Sequence, residues 1–487
     1  MPHRRLVTGG DVLVGDPLRG EVRRSDVLIE DGVIVAVGSD LGGSDAERLD
    51  ATGTWVIPGF VDTHRHLWQT TMRSLTANWN LTEYIWRIRV HHAGLHEADD
   101  VYAGQFAGAL DALGAGVTTT IDFCHIMNSP DHADEAVRGL TDAGVRSLWC
   151  YGFYHSPTEN PYFTSVEQRF EDCARVRSAS FSSDSGLVRM GVALNELGLV
   201  PFSQSRREVE TATELGIPLT AHTQCMASPQ KVLDVKMWHA AGLLRAGDIH
   251  AHANECSDED LALLRDAGCS VSSTPDVELQ MAVGFPVFRR AIELGMTAGM
   301  GNDIVSNNSG DFFTTMRVLM QSSRGHANQP ILDAEGLIGV PAGVPLTTRQ
   351  VLHGATLAGA RALGLEGVCG SIEEGKAADL VLIRHDRLHM RPIIDPVDSI
   401  VTQATTRDID HVMVAGQTKL SHGRLPADLD RRGTALIDAA FERLSEKVGR
   451  RGGWHLDATG VWDKFGPVRA ANVQDRGRVP SSAQNAT

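Results

Sequence analysis

Along the middle of the chain, short apolar runs alternate with amphipathic stretches. Eight of the runs read as strands: 55–62 (WVIPGFVD), 117–123 (VTTTIDF), 147–153 (SLWCYGF), 187–194 (LVRMGVAL), 217–221 (IPLTA), 248–253 (DIHAHA), 269–274 (CSVSST) and 297–302 (TAGMGN). Apolar runs of this length, bounded by turn residues, suit strands covered on both faces. Helix signatures separate most of them. SPDHADEAVRGLTDAG offers Ser129 as N-cap, Pro130 at the first helical position and Gly144 as the stop. SDEDLALLRDAG places Ser257 and Asp260 in capping-box spacing and closes at Gly268. Eight strands alternating with helices predict an α/β fold, a (β/α)8 TIM-like barrel.

The two ends of the chain have a different texture. Residues 5–57 read as short strands, with Asp31-Gly32 between two apolar runs as a hairpin turn. The same texture returns in AADLVLIRHD and HVMVAGQTKLSHGRL. The expected organisation is a small β-sandwich domain built from 1–57 and 366–431, a barrel over 58–365, and a C-terminal helix with an extended tail over 432–487. TTRQVLHGATLAGARALG reads as one helix ending at Gly364. Beyond residue 450 no period survives, yet Trp454, Trp462 and Phe465 are expected to dock on this chain or on a neighbouring subunit.

Composition narrows the partners. The formal net charge of −16 argues against nucleic acid and anionic membranes, both of which need a basic face. No run has the length of a membrane span, and the N-terminus lacks a signal-peptide core. The seven cysteines are scattered without a C-x-x-C, which favours reduced thiols over a disulfide framework. The expectation is a cytoplasmic protein that takes a small-molecule substrate and assembles as a homo-oligomer, dimer or tetramer.

In a barrel of this kind the chemistry gathers at the C-terminal ends of the strands. Strand one runs into His64-Arg65-His66, strand five ends in His222, strand six carries His250 and His252, and strand eight leads to Asp303. Alternate residues of an extended segment point the same way, so His64 and His66 can meet at one point. Three imidazoles and a carboxylate suit a single divalent ion, Zn²⁺ first and Fe²⁺ second, with a position left for water. Such an ion generates hydroxide near neutral pH. Asp303 is placed to take the proton of the attacking water, and His252 to stabilise developing charge. His250 reads as structural.

These motifs resemble a known family. PGFVDTHRH, the AH that closes a strand, HAHANECSDEDL and the GND that closes the last strand are similar to the amidohydrolase superfamily. The flanking β segments, with GSIEEGKAADLVLI, resemble its composite β-sandwich, and the similarity spans roughly residues 5–425. It is nearest to the one-metal branch of cytosine deaminases and triazine hydrolases, atrazine chlorohydrolase among them. No Lys stands near ALNELG, where the two-metal branch carries one. The resemblance implies that His64, His66, His222 and Asp303 hold one metal and that His252 is catalytic.

One departure affects the chemistry. Deaminases of this branch carry H-x-x-E after strand five, and here the motif reads His222-Thr223-Gln224-Cys225. Glu255, Asp276 and Glu278 are the candidate replacements for the missing acid. Trp68 and Gln69, together with Trp79, Tyr84 and Trp86, are candidates for a flat wall against a planar ring. His125 and His155 follow strands two and three and are candidate substrate contacts. GSIEEGKA nearly matches a phosphate-binding loop, but Ala377 stands where Ser or Thr is required, and the stretch reads as a turn before a strand. The expected activity is hydrolytic deamination of a small cyclic nitrogen compound. Cyclic amide opening, or displacement of another leaving group such as chloride, is the alternative. A non-catalytic scaffold disagrees with the intact donor set.

Overall fold

The structure, a computed structural model, describes residues 3–42, 45–196, 199–225, 234–334 and 343–460. Its strands, in chain order, are β1 (Arg4–Val14), β2 (Glu21–Glu30), β3 (Val33–Gly38), β4 (Glu47–Asp50), β5 (Thr54–Pro58), β6 (Phe60–Arg65), β7 (Val117–Cys124), β8 (Arg146–Gly152), β9 (Val188–Leu194), β10 (Leu219–Thr223), β11 (Ile249–His252), β12 (Ser270–Ser273), β13 (Ala298–Met300), β14 (Leu380–Arg384), β15 (Ile409–Val414) and β16 (Gln417–Ser421). Strands β6 to β13 close into a parallel barrel in sequence order. The run at 187–194 is a true barrel strand with its last five residues buried.

The first apolar run divides between two sheets. Gly59 separates β5 from β6, and a side chain there would collide with Thr118, whose Oγ1 lies 2.1 Å from the position of a Cβ. β5 pairs with β1 and β14, whereas β6 pairs with β7 and β13. A continuous apolar run conceals this break, because both halves are buried.

The terminal segments share one eight-stranded sheet, ordered β16-β15-β14-β5-β1-β2-β3, with β4 alongside β1. The expected small β domain is built on a single continuous sheet. Its apolar residues nevertheless pack together: Val27, Ile29 and Ile34 from one end join Leu380, Leu382 and Met413 from the other. The hairpin turns at Gly32 and Gly416 touch, and a Cβ on Gly32 would lie 2.4 Å from the Ala415 carbonyl oxygen.

The helix over Pro130–Ala143 stops at Gly144 in the left-handed conformation, as its sequence predicts. Ser129 occupies the N-cap, but its hydroxyl pairs with His132 Nδ1 at 2.8 Å and not with the helix N–H groups. Ser257 and Asp260 form the reciprocal capping box of the helix Asp258–Asp266. The helix expected to run to Gly364 is broken into Thr348–Gly354 and Leu357–Ala362. The Ala355 carbonyl accepts the Val61 N–H at 2.8 Å, so it serves barrel strand β6 and not a helical ladder. The C-terminal helix, Ala427–Arg450, starts five residues before 432. It lies against helix Ala98–Gly114, where Arg443 pairs with the buried Asp100 at 2.5 Å. Trp454 docks on its own chain: its ring stacks on Phe441 and its carbonyl meets His92 Nε2 at 3.1 Å. Trp462 and Phe465 lie outside the described residues. Residues 370–377 form turns ahead of β14, with Lys376 Nζ on Ser371 Oγ at 2.6 Å. No helix among the described residues is long and apolar enough to cross a membrane.

Candidate metal centre

Three strand ends deliver the expected donors to one place. The rings of His64 and His66 lie 4.8 Å apart, and those of His64 and His222 5.1 Å apart. Asp303 Oδ1 is 3.6 Å from His64 Nε2 and 3.3 Å from His66 Nε2. Backbone bonds hold this register: Asp303 N–H donates to the His64 carbonyl and His66 N–H to the Asp303 carbonyl, each at 2.8 Å. The pairing of β6 with β7 shifts register between Asp62 and Arg65, which sets His64 and His66 at the mouth.

Three of the strand ends leave their sheets through left-handed, non-glycine residues. Gln224 has φ 40°, His252 φ 67° and Asp303 φ 67°. That conformation costs roughly 1–2 kcal/mol for a residue with a Cβ. At His252 it redirects the side chain. Alternation along β11 would send His250 and His252 to the same side. His250 packs on Trp238 of helix Asp234–Ala240 and pairs with Thr223 Oγ1 at 2.8 Å. His252 instead turns into the mouth, 5.1 Å from the His64 ring.

The hydrogen bonds assign which nitrogen each ring has free. His66 Nδ1–H donates to the Phe123 carbonyl at 2.7 Å and His222 Nδ1–H to Glu196 Oε1 at 2.8 Å, so both leave Nε2 for the cluster. Neither nitrogen of the fully buried His64 has a hydrogen-bond partner. Burial pushes the His64 imidazole well below its ordinary pKa, against the pull of Asp303, and lowers His222 to about 4 despite Glu196. Neutral imidazoles with free nitrogens are the protonation state that metal ligation requires. Burial would raise the Asp303 pKa, but the ring nitrogens of His66, His64 and His252 that surround its carboxylate outweigh that and lower it below the usual carboxylate range. Buried, unpartnered donors around a carboxylate fit a divalent ion.

His252 differs from the other imidazoles. Its Nδ1 faces Thr274 Oγ1 at 2.9 Å and Glu278 Oε1 at 3.5 Å, and its Nε2 lies 3.8 Å from Asp303 Oδ2. Burial lowers its pKa, but the Glu278 hydrogen bond and the charges of Asp303, Glu278 and Glu196 outweigh that and raise it.

The cavity over the cluster is walled by Leu81, Tyr84, Ile85, Val277, Met281, Val283 and Ile304, with Arg89, Glu196 and Cys225 as further polar groups. Several expected contacts lie elsewhere. Trp68 is fully buried behind the site and donates Nε1–H to His125 Nδ1 at 3.2 Å. Gln69 is buried between Tyr84 OH, at 2.6 Å, and Ser306 Oγ, at 2.9 Å. The first loop therefore presents Tyr84 and its apolar neighbours to the cavity, while Trp68 and Gln69 support it from beneath. His125 is buried and stacks on His66 with ring centres 4.2 Å apart, close enough to His66 and His222 to join the donor group but outside the cavity wall. His155 opens onto a different cavity.

Of the candidate acids, Glu255 engages Gln224 through its backbone and does not line the cavity. Asp276 is turned to Thr315 Oγ1 at 2.9 Å. Glu278 backs His252, and its Oε2 has no hydrogen-bond partner. Cys225 lines the cavity as its position after His222 predicts, and burial pushes its thiol pKa up, away from a nucleophilic thiolate. Arg89 and Glu196 join the cavity without being marked as site residues in the sequence. Arg89 Nη1 and Nη2 grip the Glu196 carboxylate at 2.8 and 3.2 Å, while the guanidinium stacks on Tyr154 at 4.0 Å. Burial opposes ionisation of Glu196, yet Arg89 and His222 hold its pKa well below the usual range. The signal available in sequence was an acidic residue just past strand four, inside ALNELG.

Comparison with known proteins gives the chain a family. The chain is 26% identical to a 5-methylthioadenosine/S-adenosylhomocysteine deaminase of Pyrococcus furiosus, over 86% of this chain and 95% of that one. It is 27% identical to a 5'-deoxyadenosine deaminase of Methanothermobacter thermautotrophicus, over 90% and 98%. Its fold matches a zinc-bound adenosine deaminase from Xanthomonas campestris with a TM-score of 0.78 at 23% identity, covering 90% of this chain and 98% of that one. The family model described as "Amidohydrolase family" matches residues 55–419. The chain belongs to the amidohydrolase family, as a hydrolase of carbon–nitrogen bonds other than peptide bonds.

Proposed function

We propose that the chain is a zinc-dependent deaminase that removes an exocyclic amino group from a small nitrogen heterocycle, and that 6-aminopurines, free or on a sugar, are its substrate class. The observation that carries this reading is the buried, unpartnered His64 imidazole with His66, His222 and Asp303 gathered around it. The apolar walls suit the faces of a planar ring, and Tyr84 and Arg89 offer polar contacts at its edge. The relatives named above act on adenine-bearing compounds by their descriptions, which directs the choice of substrate.

A divalent ion on His64, His66, His222 and Asp303 supplies Lewis acidity and brings the pKa of a water to about 7. Asp303, kept ionised by the imidazoles around it, takes the proton that the attacking water gives up. The water oxygen bonds to the ring carbon. His252, its Nδ1 occupied by Thr274 and Glu278, directs Nε2 at the charge that builds on the ring. The carbon–nitrogen bond then breaks: one proton originally from water leaves with the amino group as ammonia, and the other stays on the ring nitrogen of the oxo product. Cys225 is a weak acid for that step. Asp303 itself, or Glu278 acting through His252, returns the proton.

Metal analysis of the purified chain with ammonia release from a panel of aminopurines and aminopyrimidines tests the reading. About one metal per chain and ammonia from a 6-aminopurine are expected. Stoichiometric metal without ammonia from any member would overturn deamination and favour hydrolysis of a group that leaves without protonation.

A further inference from the structure

A second cavity, of about 250 Å³, opens beside the metal cavity. The end of β9 divides the two: Glu196 lines the first and its neighbour Asn195 the second. Phe153, His155, Phe163, Val200 and Gln204 face the second cavity, as does Arg169 from helix Val166–Ser180.

Arg169 is out of keeping with the other buried arginines. Among the described residues, four arginines are less than a tenth exposed: Arg65, Arg89, Arg146 and Arg169. Arg65 pairs with Asp62 and Asp111, Arg89 with Glu196, and Arg146 with Asp379. Arg169 is 4% exposed, and among the described residues no carboxylate lies within ion-pair distance of it. Its Nη1 donates to the Met127 carbonyl, and its guanidinium sits 4.9 Å from the Phe163 ring centre. The nearest acid on its helix, Asp172, is taken by Arg175 at 2.6 Å and by Tyr151 OH at 3.0 Å. Burial accordingly depresses the Arg169 pKa. A buried cation with no carboxylate paired directly to it is costly unless something anionic completes it.

We propose that this cavity is a binding site for an organic monoanion with an apolar body, its carboxylate on Arg169 and its hydrocarbon part against Phe153, Phe163 and Val200. A guanidinium presents paired N–H donors that match a carboxylate. The aromatic and aliphatic wall selects against a bare, strongly hydrated ion. The site is independent of the deamination reading, because binding there involves none of the metal-cluster residues.

Thermal melting and titration calorimetry of the full-length protein test it, with benzoate as probe and benzamide and inorganic phosphate as controls. Benzoate is expected to raise the melting temperature and to bind in the millimolar range or tighter, with benzamide and phosphate giving no comparable response. Arg169→Met should weaken benzoate by about tenfold or more. Val200→Trp, which fills the cavity and leaves Arg169 in place, should do the same and stands in if the first variant does not fold. Benzoate binding that is unchanged in these variants would place the anion elsewhere, at the metal for instance, and overturn the proposal. So would phosphate or benzamide matching benzoate, or no benzoate response in the unaltered protein.

Discussion

The chain carries two H-x-H motifs at barrel-strand ends, His64-Arg65-His66 and His250-Ala251-His252, and they do different things. The first delivers both imidazoles to one cluster, each within 3.6 Å of Asp303 Oδ1. The second splits: His250 packs outward on Trp238, while His252 turns inward at φ 67°. Burial drives the pKa of His250 down to about 3, with no acid to oppose it. His252 is equally enclosed, but Glu278, Asp303 and Glu196 reverse the effect. Spacing along a strand says which residues can face together. The backbone at the strand end, and the charges beyond it, decide whether they do.

The largest effect should come from the first motif. His66→Ala should abolish stoichiometric metal and lower turnover on the order of 10³-fold, and chelator treatment of the unaltered enzyme should do the same, reversibly on adding zinc. Metal analysis beside an ammonia assay reads both. His252→Ala sharpens the contrast, with most of the metal kept and about 10²–10³ lost in turnover. Loss of metal in that variant would make the two motifs alike. A milder form is Glu278→Gln, expected to cost about 10–10² in turnover with metal retained, whereas Glu255→Gln and Asp276→Asn stay near normal rates. Glu196→Gln should weaken metal binding by about 10–100-fold, since it removes the acceptor that orients His222. A competition assay with a chromogenic chelator measures it.

The smallest effect belongs to His250, and it is one of stability. Its folded pKa of about 3 lies below the unfolded value of about 6.5. The unfolded chain therefore binds the extra proton first as pH falls between those values. Stability that is intact above about pH 6.5 is lost on acidification, with a slope of up to ~1.4 kcal/mol per pH unit from this group. His250→Gln should flatten the acid limb of a urea-denaturation profile and leave metal content unchanged. An unaltered slope would show that His250 does not contribute to the acid limb.

The sequence by itself determined the repeating strand–helix order and the residues at its strand ends. Buried strands and capped helices are local patterns, so eight barrel strands, Gly144 and the Ser257–Asp260 box were legible. So were His64, His66, His222, His252 and Asp303, because each sits at the end of such a strand. Tertiary structure alone decided the rest. The break at Gly59 follows from Thr118 of a neighbouring strand, and the broken helix at Ala355 from a carbonyl given to Val61. Trp68 and Gln69 share the first loop with the cavity-lining Tyr84, but only packing sets which of them face inward. Arg89 and Glu196 stand 107 residues apart, and no local pattern links them. Their pairing depends on the closed barrel bringing the first loop over the fourth strand, where burial makes an isolated charge costly and a partner necessary.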